Sequence, residues 1–345
     1  MNPYITVVMP AFNAELYIKD SIESILNQSF TDFEFIIIND GSTDSTAQII
    51  QTYKKKDNRI KIFQNQENKG LVYSLNNGLK MAKGKYIARM DADDISISHR
   101  FERQVSFMDS NPHIGVSSAW LKTIGDKKEK VWKSPISHDE IMARLVFRNC
   151  IWHPVSIIRR DIIDLNHIRY NQDYLRAQDY HLWSRLIKIT RTANIPEVLL
   201  HYRIHEKQQT KKSKDIKNIR EELLSPLLKR QLKPIEKEKH SKLFCEKAVH
   251  TQEEFEEIKK WIDFLKIENK KNQYFIEPFF NNNLEMVFNN FKKQYFFQSI
   301  KNKKRYDLRA LKILFGNNNI YSAFERKDIF KIIIKSMIMF PNNYF

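Results

Sequence analysis

The first hundred residues alternate between short apolar runs and amphipathic segments, and this alternation limits the fold more than any other feature. Four apolar runs predict strands, namely Ile5–Met9, Phe33–Ile38, Ile60–Phe63 and Tyr86–Met90. Pro10 is predicted to stop the first strand, and helical spacing of apolar residues predicts a crossover helix at Leu71–Met81. Since strands that alternate with helices form parallel sheets, the pattern predicts an α/β domain.

The alternation continues less regularly as far as residue 205. Three further strands are predicted, at Ile114–Trp120, Val155–Ile158 and Ile195–Tyr202. Helices are predicted at Ser98–Asp109 and Asp139–Phe147, and another helix is predicted to begin near Asp179. We therefore assign residues 1–205 to the α/β domain.

From residue 206 the character of the chain changes. Glycine becomes rare, and Lys, Glu, Asn and Phe dominate in helical patterns such as Phe255, Ile258, Ile262 and Leu265. The change predicts that residues 206–345 form a basic, mainly helical C-terminal region, and this region contains no recognisable motif.

The basic charge of the chain is concentrated in that region. The formal net charge is +17, and residues 206–345 contain 30 Lys and Arg against 18 Asp and Glu. Such a surface suits an anionic membrane leaflet, an anionic glycolipid or nucleic acid, whereas a bias toward Lys and Asn would explain it without any partner. The apolar segment Ile329–Phe340 is too short to span a bilayer, so it is either a buried packing helix or a membrane-surface segment.

The sequence gives no sign of export. It has no window of eighteen uninterrupted apolar residues, and its N-terminus lacks the basic and cleavage regions of a signal peptide. The two cysteines, Cys150 and Cys245, do not make a disulfide framework or a cysteine-based metal site. We expect a protein of the reducing cytoplasm.

Three carboxylates stand within four positions at the end of the fourth predicted strand. Asp91, Asp93 and Asp94 repel one another, which costs free energy unless a cation lies among them. Oxygen ligands of this kind suit a divalent metal, which in turn binds phosphates. The alternative is a solvated acidic turn.

Two other polar segments follow predicted strands. Pro10–Asn13 comes after the first strand and Asn39–Ser42 after the second. Because ligands of open α/β sheets bind beyond the carboxyl ends of the strands, we expect one ligand to touch both segments and the Asp91–Asp94 cluster.

An ordered series of motifs resembles glycosyltransferase family 2. In chain order the motifs are Pro10–Asn13, Asn39–Asp44, Asn68–Gly70, Asp91–Asp94 and Gln178–Trp183. The resemblance runs from residue 4 to about residue 210. It implies the GT-A fold, a Rossmann-like, mixed and mainly parallel sheet flanked by helices, and it implies inverting transfer from a nucleotide-sugar donor. Bacterial lipooligosaccharide glycosyltransferases, some of which add N-acetylglucosamine or galactose, have runs similar to Tyr86–Asp94, Ala119–Leu121 and His201–His205.

The resemblance gives donor-binding roles to ten positions. They are Pro10, Phe12, Asn13, Asp40, Lys69, Arg89, Asp91, Ala92, Asp93 and Arg203. Phe12 matches an aromatic residue near uracil, unless it is a core residue at a strand end. Asp40 matches the acid that hydrogen-bonds to the nucleobase or ribose, unless it is only a capping or turn residue. Lys69 and Arg89 are candidates for phosphate contact, with plain surface charge as the alternative.

The resemblance also implies a metal ion. Asp91 and Asp93 match the Asp-x-Asp motif of the family, and Asp94 is placed to assist or orient them. A hard cation with oxygen ligands is Mn²⁺ or Mg²⁺. His205 resembles a histidine that completes the metal or diphosphate site in some relatives, and its alternative is a structural role.

A catalytic base is implied near the start of a helix. Asp179 matches the carboxylate that deprotonates the acceptor hydroxyl, although a carboxylate at a helix N-terminus also serves as a capping acid. Many relatives carry Glu where this chain has Gln178. His153 and Trp183 either face the acceptor or, as we favour, only pack.

Together these features predict transfer of one hexose or N-acetylhexosamine from a UDP-sugar to lipooligosaccharide or another glycolipid-linked cell-surface glycan, forming a β-linkage. We expect a cytoplasmic protein attached peripherally to the inner face of the membrane, with no nucleic-acid partner. Two alternatives stay open, a nucleotidyltransferase and a basic membrane- or nucleic-acid-binding protein without turnover. The chain lacks the Gly-x-Gly-x-x-Gly fingerprint of a dinucleotide dehydrogenase and the lysine loop of P-loop enzymes.

Overall fold

The four strands predicted in the first hundred residues form the parallel half of a mixed sheet. They are β1 (Ile5–Ala11), β2 (Phe33–Asp40), β3 (Ile60–Asn65) and β4 (Tyr86–Arg89), in the spatial order β3-β2-β1-β4. They are connected by the helices α1 (Ile18–Leu26), α2 (Thr46–Lys56) and α3 (Leu71–Met81). This computed structural model describes residues 2–126, 128–205, 216–244, 251–301 and 323–338.

The rest of the first unit, Met1–Arg220, extends the sheet beyond β4. The added strands are β5 (Ile95–Ser96), β6 (Ile114–Ile124), β7 (Val131–Trp132), β8 (Ile157–Arg159) and β9 (Arg191–Arg203). The added helices are α4 (Arg100–Ser110), α5 (His138–Leu145), α6 (Arg160–Leu165) and α7 (Gln178–Leu186). The order continues β8-β6-β9-β5, with β7 on β6; only the β6–β9 pair is parallel. The predicted α/β class and mixed sheet are confirmed.

Strand β1 does not stop at Pro10, so the predicted strand end is wrong. Pro10 pairs in register with Ile38 of β2, and β1 continues to Ala11. On its other side, β1 pairs with β4 only as far as Val8 and Arg89. Because β4 no longer runs beside Pro10, the missing N–H of proline breaks no ladder hydrogen bond on that side.

The core of the first unit lies between the sheet and its helices. All seven residues of β1 are buried, and the Phe35 and Ile37 side chains of β2 are fully enclosed. Helix α1 contributes an apolar stripe to this core, because Ile18, Ile22 and Ile25 are buried. Each such side chain contributes roughly 1.5–3 kcal/mol on burial, so this layer fixes the position of the loops that follow the strands.

Strands β6 and β9 are longer than predicted. They pair in parallel over Ile114–Ile124 of β6, with shifts of register along the way. The extension of β6 beyond Trp120 was not predicted, because Lys122 and Thr123 are polar. Their strand conformation depends on pairing with β9, which is distant in sequence. Val155 was predicted to begin a strand, but it lies in a 3₁₀ turn, and β8 begins at Ile157.

The remaining helices confirm the predicted helical C-terminal region. They are α8 (Ile216–Leu228), α9 (Pro234–Lys242), α10 (Gln252–Asn272), α11 (Glu277–Lys301) and α12 (Arg326–Ile338), and the second compact unit is Glu221–Phe345. The predicted apolar stripe of α10 is buried at Phe255, Ile258, Ile262 and Leu265. Phe255 packs against Tyr295 of α11, with ring centroids 4.8 Å apart. The boundary predicted at residue 205 adjoins residues 206–215, which lie outside the described residues.

Helix α12 covers most of the apolar segment predicted as a packing or membrane-surface element. Ile329 and Ile332 are buried, whereas Phe330 is 63% exposed. Residues 339–340 of that segment and Cys245 lie outside the described residues. Among the helices that the structure describes, none is both long enough and apolar enough to cross a membrane.

Candidate active site

The loops after β1 and β2 are tied together at the carboxyl edge of the sheet. Asn13 Oδ1 accepts a hydrogen bond from the backbone N–H of Thr43 (2.9 Å), and the Asn13 N–H donates to Ser42 Oγ (3.0 Å). Ser42 Oγ in turn donates to Asn39 Oδ1 (2.6 Å). Asn13 has a φ of 47°, which asparagine tolerates better than most residues. Two of the three segments that were predicted to converge therefore do so.

Asp40 ends β2 and holds the loop before α3. Its carboxylate accepts hydrogen bonds from the backbone N–H groups of Lys69 (2.9 Å) and Gly70 (2.8 Å) and from Asn65 Nδ2 (2.6 Å). A carboxylate has about four acceptor positions. Asp40 therefore has a structural role in this loop, and its contact with the donor stays a prediction.

The turn after Asp40 requires glycine at position 41. Gly41 has a φ of +69°, in the left-handed region. A Cβ there would lie 2.4 Å from the carbonyl carbon of Glu67, which is backbone and cannot move aside cheaply. The turn thereby brings the loop after β2 into direct contact with the loop before α3.

Phe12 and Lys69 are both exposed beside these loops. Phe12 is 44% exposed, so the alternative of a core residue is wrong. Pro10, in contrast, is buried within β1. The Lys69 ammonium forms an ion pair with Glu67 on the surface, and its contact with phosphate stays a prediction.

The acid cluster consists of Asp91, Asp93 and Asp94, which follow β4. One carboxylate oxygen from each residue lies within 4.8 Å of the others. Asp94 is fully enclosed; its Oδ1 accepts from the N–H of Arg203 (2.9 Å), and its Oδ2 has no hydrogen-bond partner among the described residues. Burial, and then repulsion from the two neighbouring carboxylates, raises the pKa of Asp94 well above its usual value.

These observations fit a hard divalent cation in the acid cluster. All the side-chain donors are carboxylate oxygens, which such cations prefer. The buried Asp94 oxygen that lacks a partner is costly unless something cationic or hydrogen-bonding reaches it. The neighbouring Ala92 is buried and leaves the cluster free of a further side chain.

Arg203 and His205 close the cluster from β9. Arg203 Nε donates to the backbone carbonyl of Asp93 (2.8 Å), and its Nη2 donates to Asp20 Oδ2 (3.2 Å). His205 Nε2 lies 2.9 Å from Asp93 Oδ2, and the imidazole packs against Tyr17 with ring centroids 4.9 Å apart. The structure thus brings both predicted residues to the cluster, where Arg203 binds the backbone carbonyl of Asp93 and the carboxylate of Asp94.

Arg89 lies inside the site and not on the surface. Its side chain forms an ion pair with Asp91, and the residue is 4% exposed, so the alternative of plain surface charge is wrong. The backbone carbonyl of Arg89 accepts a hydrogen bond from Arg100 Nη2 (2.8 Å). Arg100 is itself enclosed, and its Nε donates to Gln104 Oε1 (3.0 Å). This second arginine fixes the end of β4 from which the acid cluster starts.

Asp179 lies in the first turn of α7 and is half-buried. Its Oδ2 accepts a hydrogen bond from Asn149 Nδ2 (2.7 Å). Burial raises the pKa of Asp179, while the N–H of Tyr180, the Arg89 cation and the Asn149 amide oppose the rise. Burial likewise raises the pKa of Asp91, and the Arg89 cation that pairs with Asp91 opposes that rise.

The residues beside Asp179 are packed from the interior. His153 is buried, its Nε2 lies 2.8 Å from the Tyr170 hydroxyl, and Trp183 is fully enclosed, which agrees with packing roles for both predicted residues. Burial, and then the Arg89 charge, lowers the pKa of His153 well below its usual value, which favours the neutral imidazole. Asn76 of α3 binds the Tyr170 backbone twice, donating to its carbonyl (2.9 Å) and accepting from its N–H (2.8 Å).

Arg100, Asn149 and Tyr170 touch this site although no motif singled them out. Asn149 contacts a partner 30 positions away, and Tyr170 a partner 94 positions away. Nothing in the sequence distinguishes Arg100 from any other residue in the first turn of a helix. Local patterns give no signal for contacts of this kind, because only the fold brings the partners together.

The chain is similar in sequence to known glycosyltransferases. Residues 6–185 match the family model described as "Glycosyl transferase family 2". An uncharacterised glycosyltransferase of Haemophilus influenzae is 39% identical over 216 residues, 60% of this chain and 67% of the relative. The O-antigen biosynthesis glycosyltransferase WbnJ of Escherichia coli is 36% identical over 213 residues, 60% of this chain and 82% of the relative.

Solved structures share the fold at low sequence identity. The structure of Staphylococcus aureus TarS 1–349 in complex with UDP-GlcNAc superposes with a TM-score of 0.58 at 19% identity. The superposition covers 85% of this chain and 92% of that one.

Proposed function

The chain belongs to glycosyltransferase family 2, and on that premise we propose that it is an inverting, metal-dependent enzyme that moves one hexose or N-acetylhexosamine from a UDP-sugar to a cell-surface glycan. The predicted family, enzyme class and GT-A fold are confirmed by the matches. One observation carries the finer proposal: carboxylate oxygens of Asp91, Asp93 and Asp94 converge within 4.8 Å at the end of β4, where His205, just after β9, reaches Asp93.

The donor nucleotide is proposed to bind where the loops after β1, β2 and β3 meet. The exposed ring of Phe12 offers a stacking surface for the base. Asp40 accepts three hydrogen bonds of the about four that a carboxylate can accept, and it is proposed to accept a fourth from the N–H of uracil or a ribose hydroxyl. Asn13 and the buried Pro10 are proposed to shape the loop after β1 that contacts the nucleotide. The likeness to a TarS structure that contains UDP-GlcNAc supports UDP as the nucleotide.

The diphosphate is proposed to lie between the acid cluster and the side chains of Arg89 and Lys69. Asp91 and Asp93 would hold Mn²⁺ or Mg²⁺, with Asp94 behind them and His205 on Asp93. Such a metal neutralises the charge that develops on the departing nucleoside diphosphate. Arg89 and Lys69 are proposed to contact the phosphates, since the Arg89 side chain already faces Asp91.

Asp179 is proposed to act as the general base. It takes the proton from the acceptor hydroxyl as the hydroxyl oxygen forms a bond to the anomeric carbon of the donor sugar. The bond between that carbon and the phosphate oxygen breaks, and the nucleoside diphosphate leaves with the bonding electrons. Because attack occurs opposite the leaving group, the configuration at the anomeric carbon inverts to give a β-linkage.

The acceptor is proposed to be a glycolipid-linked oligosaccharide. The relative WbnJ is named for O-antigen biosynthesis, and that name supports a growing surface glycan as the acceptor class. The alternatives of a nucleotidyltransferase and of a basic binding protein without turnover lose their support, because the matched relatives are glycosyltransferases.

A donor panel tests the proposed function. Purified protein with Mn²⁺ is incubated with UDP-glucose, UDP-galactose, UDP-N-acetylglucosamine and UDP-N-acetylgalactosamine, and donor hydrolysis and product mass are measured. We expect metal-dependent hydrolysis of one donor well above that of the others. Absence of metal-dependent UDP binding by calorimetry would refute the proposal before any acceptor is known.

Peripheral attachment to an anionic membrane, at its cytoplasmic face, is proposed for the C-terminal region. Residues 206–345 contain twelve more Lys and Arg than Asp and Glu, and Phe330 of α12 is 63% exposed. We expect Phe330→Asp to reduce co-sedimentation with vesicles containing phosphatidylglycerol several-fold. Ile267→Asp is the matched control, because Ile267 is 64% exposed on α10. Equal losses in both variants would remove α12 from this proposal.

A further inference from the structure

Three aromatic rings form a cluster beside the proposed active site. Trp132 of β7 packs against Trp152 and Tyr202, with ring centroids 5.7 Å and 5.4 Å apart. These three side chains rest on the main core but stay partly exposed, unlike the fully enclosed rings of Phe35 and Phe101. We call Trp132, Trp152 and Tyr202 the aromatic wall.

Two residues of the aromatic wall are close in sequence to residues of the site. Tyr202 immediately precedes Arg203, whose N–H donates to the acid cluster (2.9 Å). Burial, and then the carboxylates of the acid cluster, raises the pKa of the Tyr202 hydroxyl. At the other end, Trp152 lies on the same short segment as Asn149, which donates to Asp179. The chain therefore connects the wall directly to a residue that binds the acid cluster and, within three positions, to the residue that binds the proposed base.

The backbone of Trp152 is fixed by hydrogen bonds. Its N–H donates to Ser118 Oγ (3.1 Å), and its carbonyl accepts from the same hydroxyl (3.0 Å). Asn149 Oδ1 accepts from the N–H of Ile151 (3.2 Å), which braces the segment between the wall and Asp179. Over the part of the chain that the structure describes, the buried indole N–H of Trp152 has no acceptor, so a hydroxyl or water is expected there in the working enzyme.

We propose that the aromatic wall is the acceptor subsite and that it stacks against a pyranose ring of the acceptor glycan. A pyranose has a face of C–H groups that is apolar and a rim of hydroxyls that is polar. It therefore fits a rigid, partly exposed aromatic surface that has polar groups at its edge. The link from Trp152 through Asn149 to Asp179 suits the acceptor, because the acceptor hydroxyl must reach the base. This inference rests on the proposed function.

The five tryptophans of the chain allow a direct test by NMR. Full-length protein with ¹⁵N-labelled indoles is saturated with UDP and Mg²⁺ and titrated with methyl pyranosides of glucose, galactose and N-acetylglucosamine. We expect the indole signals of Trp132 and Trp152 to shift with at least one glycoside. Shifts confined to Trp120, Trp183 or Trp261, or no shift with any glycoside, overturn the inference.

Substitutions supply the second arm of the test. Trp132→Ala and Trp152→Ala are expected to weaken glycoside binding at least about tenfold, and Trp132→Phe to restore most of it, because a ring is retained. Trp120→Ala is the matched control, since the Trp120 indole donates to Ser134 O (3.1 Å) and its ring lies under Lys133 Nζ. An equal loss in that control overturns the inference.

The two proposals fail in different ways. UDP affinity is measured by calorimetry on the same samples, and we expect the wall variants to keep it. If the unsubstituted protein does not bind UDP with a divalent metal, the proposed function itself is refuted. If UDP binds normally and the indole signals of Trp132 and Trp152 do not shift with any glycoside, only the acceptor subsite is refuted.

Discussion

Replacing Asp179 with asparagine is expected to lower kcat on the order of 10³-fold while leaving UDP affinity nearly unchanged. A positioned general base contributes about 10²–10⁴-fold to rate, and the amide cannot take a proton. The amide keeps the size of the side chain, and its oxygen can still accept from Asn149 Nδ2. The rate is followed as UDP release, and the affinity by calorimetry.

The pH dependence of the same step gives an independent check. Burial raises the pKa of Asp179, and a base must be deprotonated to act. Activity of the unsubstituted enzyme is therefore expected to fall on acidification at a pH above about 3.9, the ordinary value for aspartate. Asp173→Asn is the matched control, because Asp173 is exposed in the turn before α7. Near-normal turnover by Asp179→Asn would refute the assigned base.

Replacing Asp93 with asparagine is expected to weaken UDP binding, whereas Asp179→Asn leaves UDP binding nearly unchanged. Removal of one carboxylate from the acid cluster is predicted to weaken metal-dependent UDP binding at least about 100-fold, since outer-shell partners of metal ligands alone account for 10–100-fold. The substitution also leaves His205 without its carboxylate partner. Calorimetry of UDP in the presence and absence of Mn²⁺ measures the effect.

The control for Asp93 is an acid that is remote from the cluster. Asp161→Asn changes an exposed carboxylate in the first turn of α6 and is expected to leave UDP binding unchanged. If Asp93→Asn binds UDP with the same metal dependence as the unsubstituted protein, the acid cluster is not the metal site. The Asp179 and Asp93 variants together separate the proposed chemical step from donor binding.

Local sequence predicted the elements of the parallel half better than their ends. Helix α3 spans Leu71–Met81 as predicted, because its apolar spacing and flanking glycines are local signals. The end of β1 was missed, since Pro10 is compatible with a strand only where the neighbouring strand has already departed. The extension of β6 depends on pairing with β9, which no local pattern reveals.

The candidate site shows the same division. The acid cluster, Asp40 and Asp179 stand in motifs, so the sequence located them. Whether Arg89 is a surface charge or an interior cation depends on the layers packed around β4, and only the structure shows that it is buried. The aromatic wall was not predicted at all, because Trp132, Trp152 and Tyr202 come from three separate segments of the chain.

The pair of hydrogen bonds between Asn76 and the Tyr170 backbone limits how relatives of this enzyme can be recombined. In a hybrid that takes its first hundred residues from one parent and the rest of the first unit from another, position 76 and position 170 come from different parents. A residue at position 76 that cannot both donate and accept would leave two partly buried backbone groups unsatisfied, at about 1–3 kcal/mol each. Hybrids designed to exchange acceptor preference should therefore keep an amide side chain at position 76.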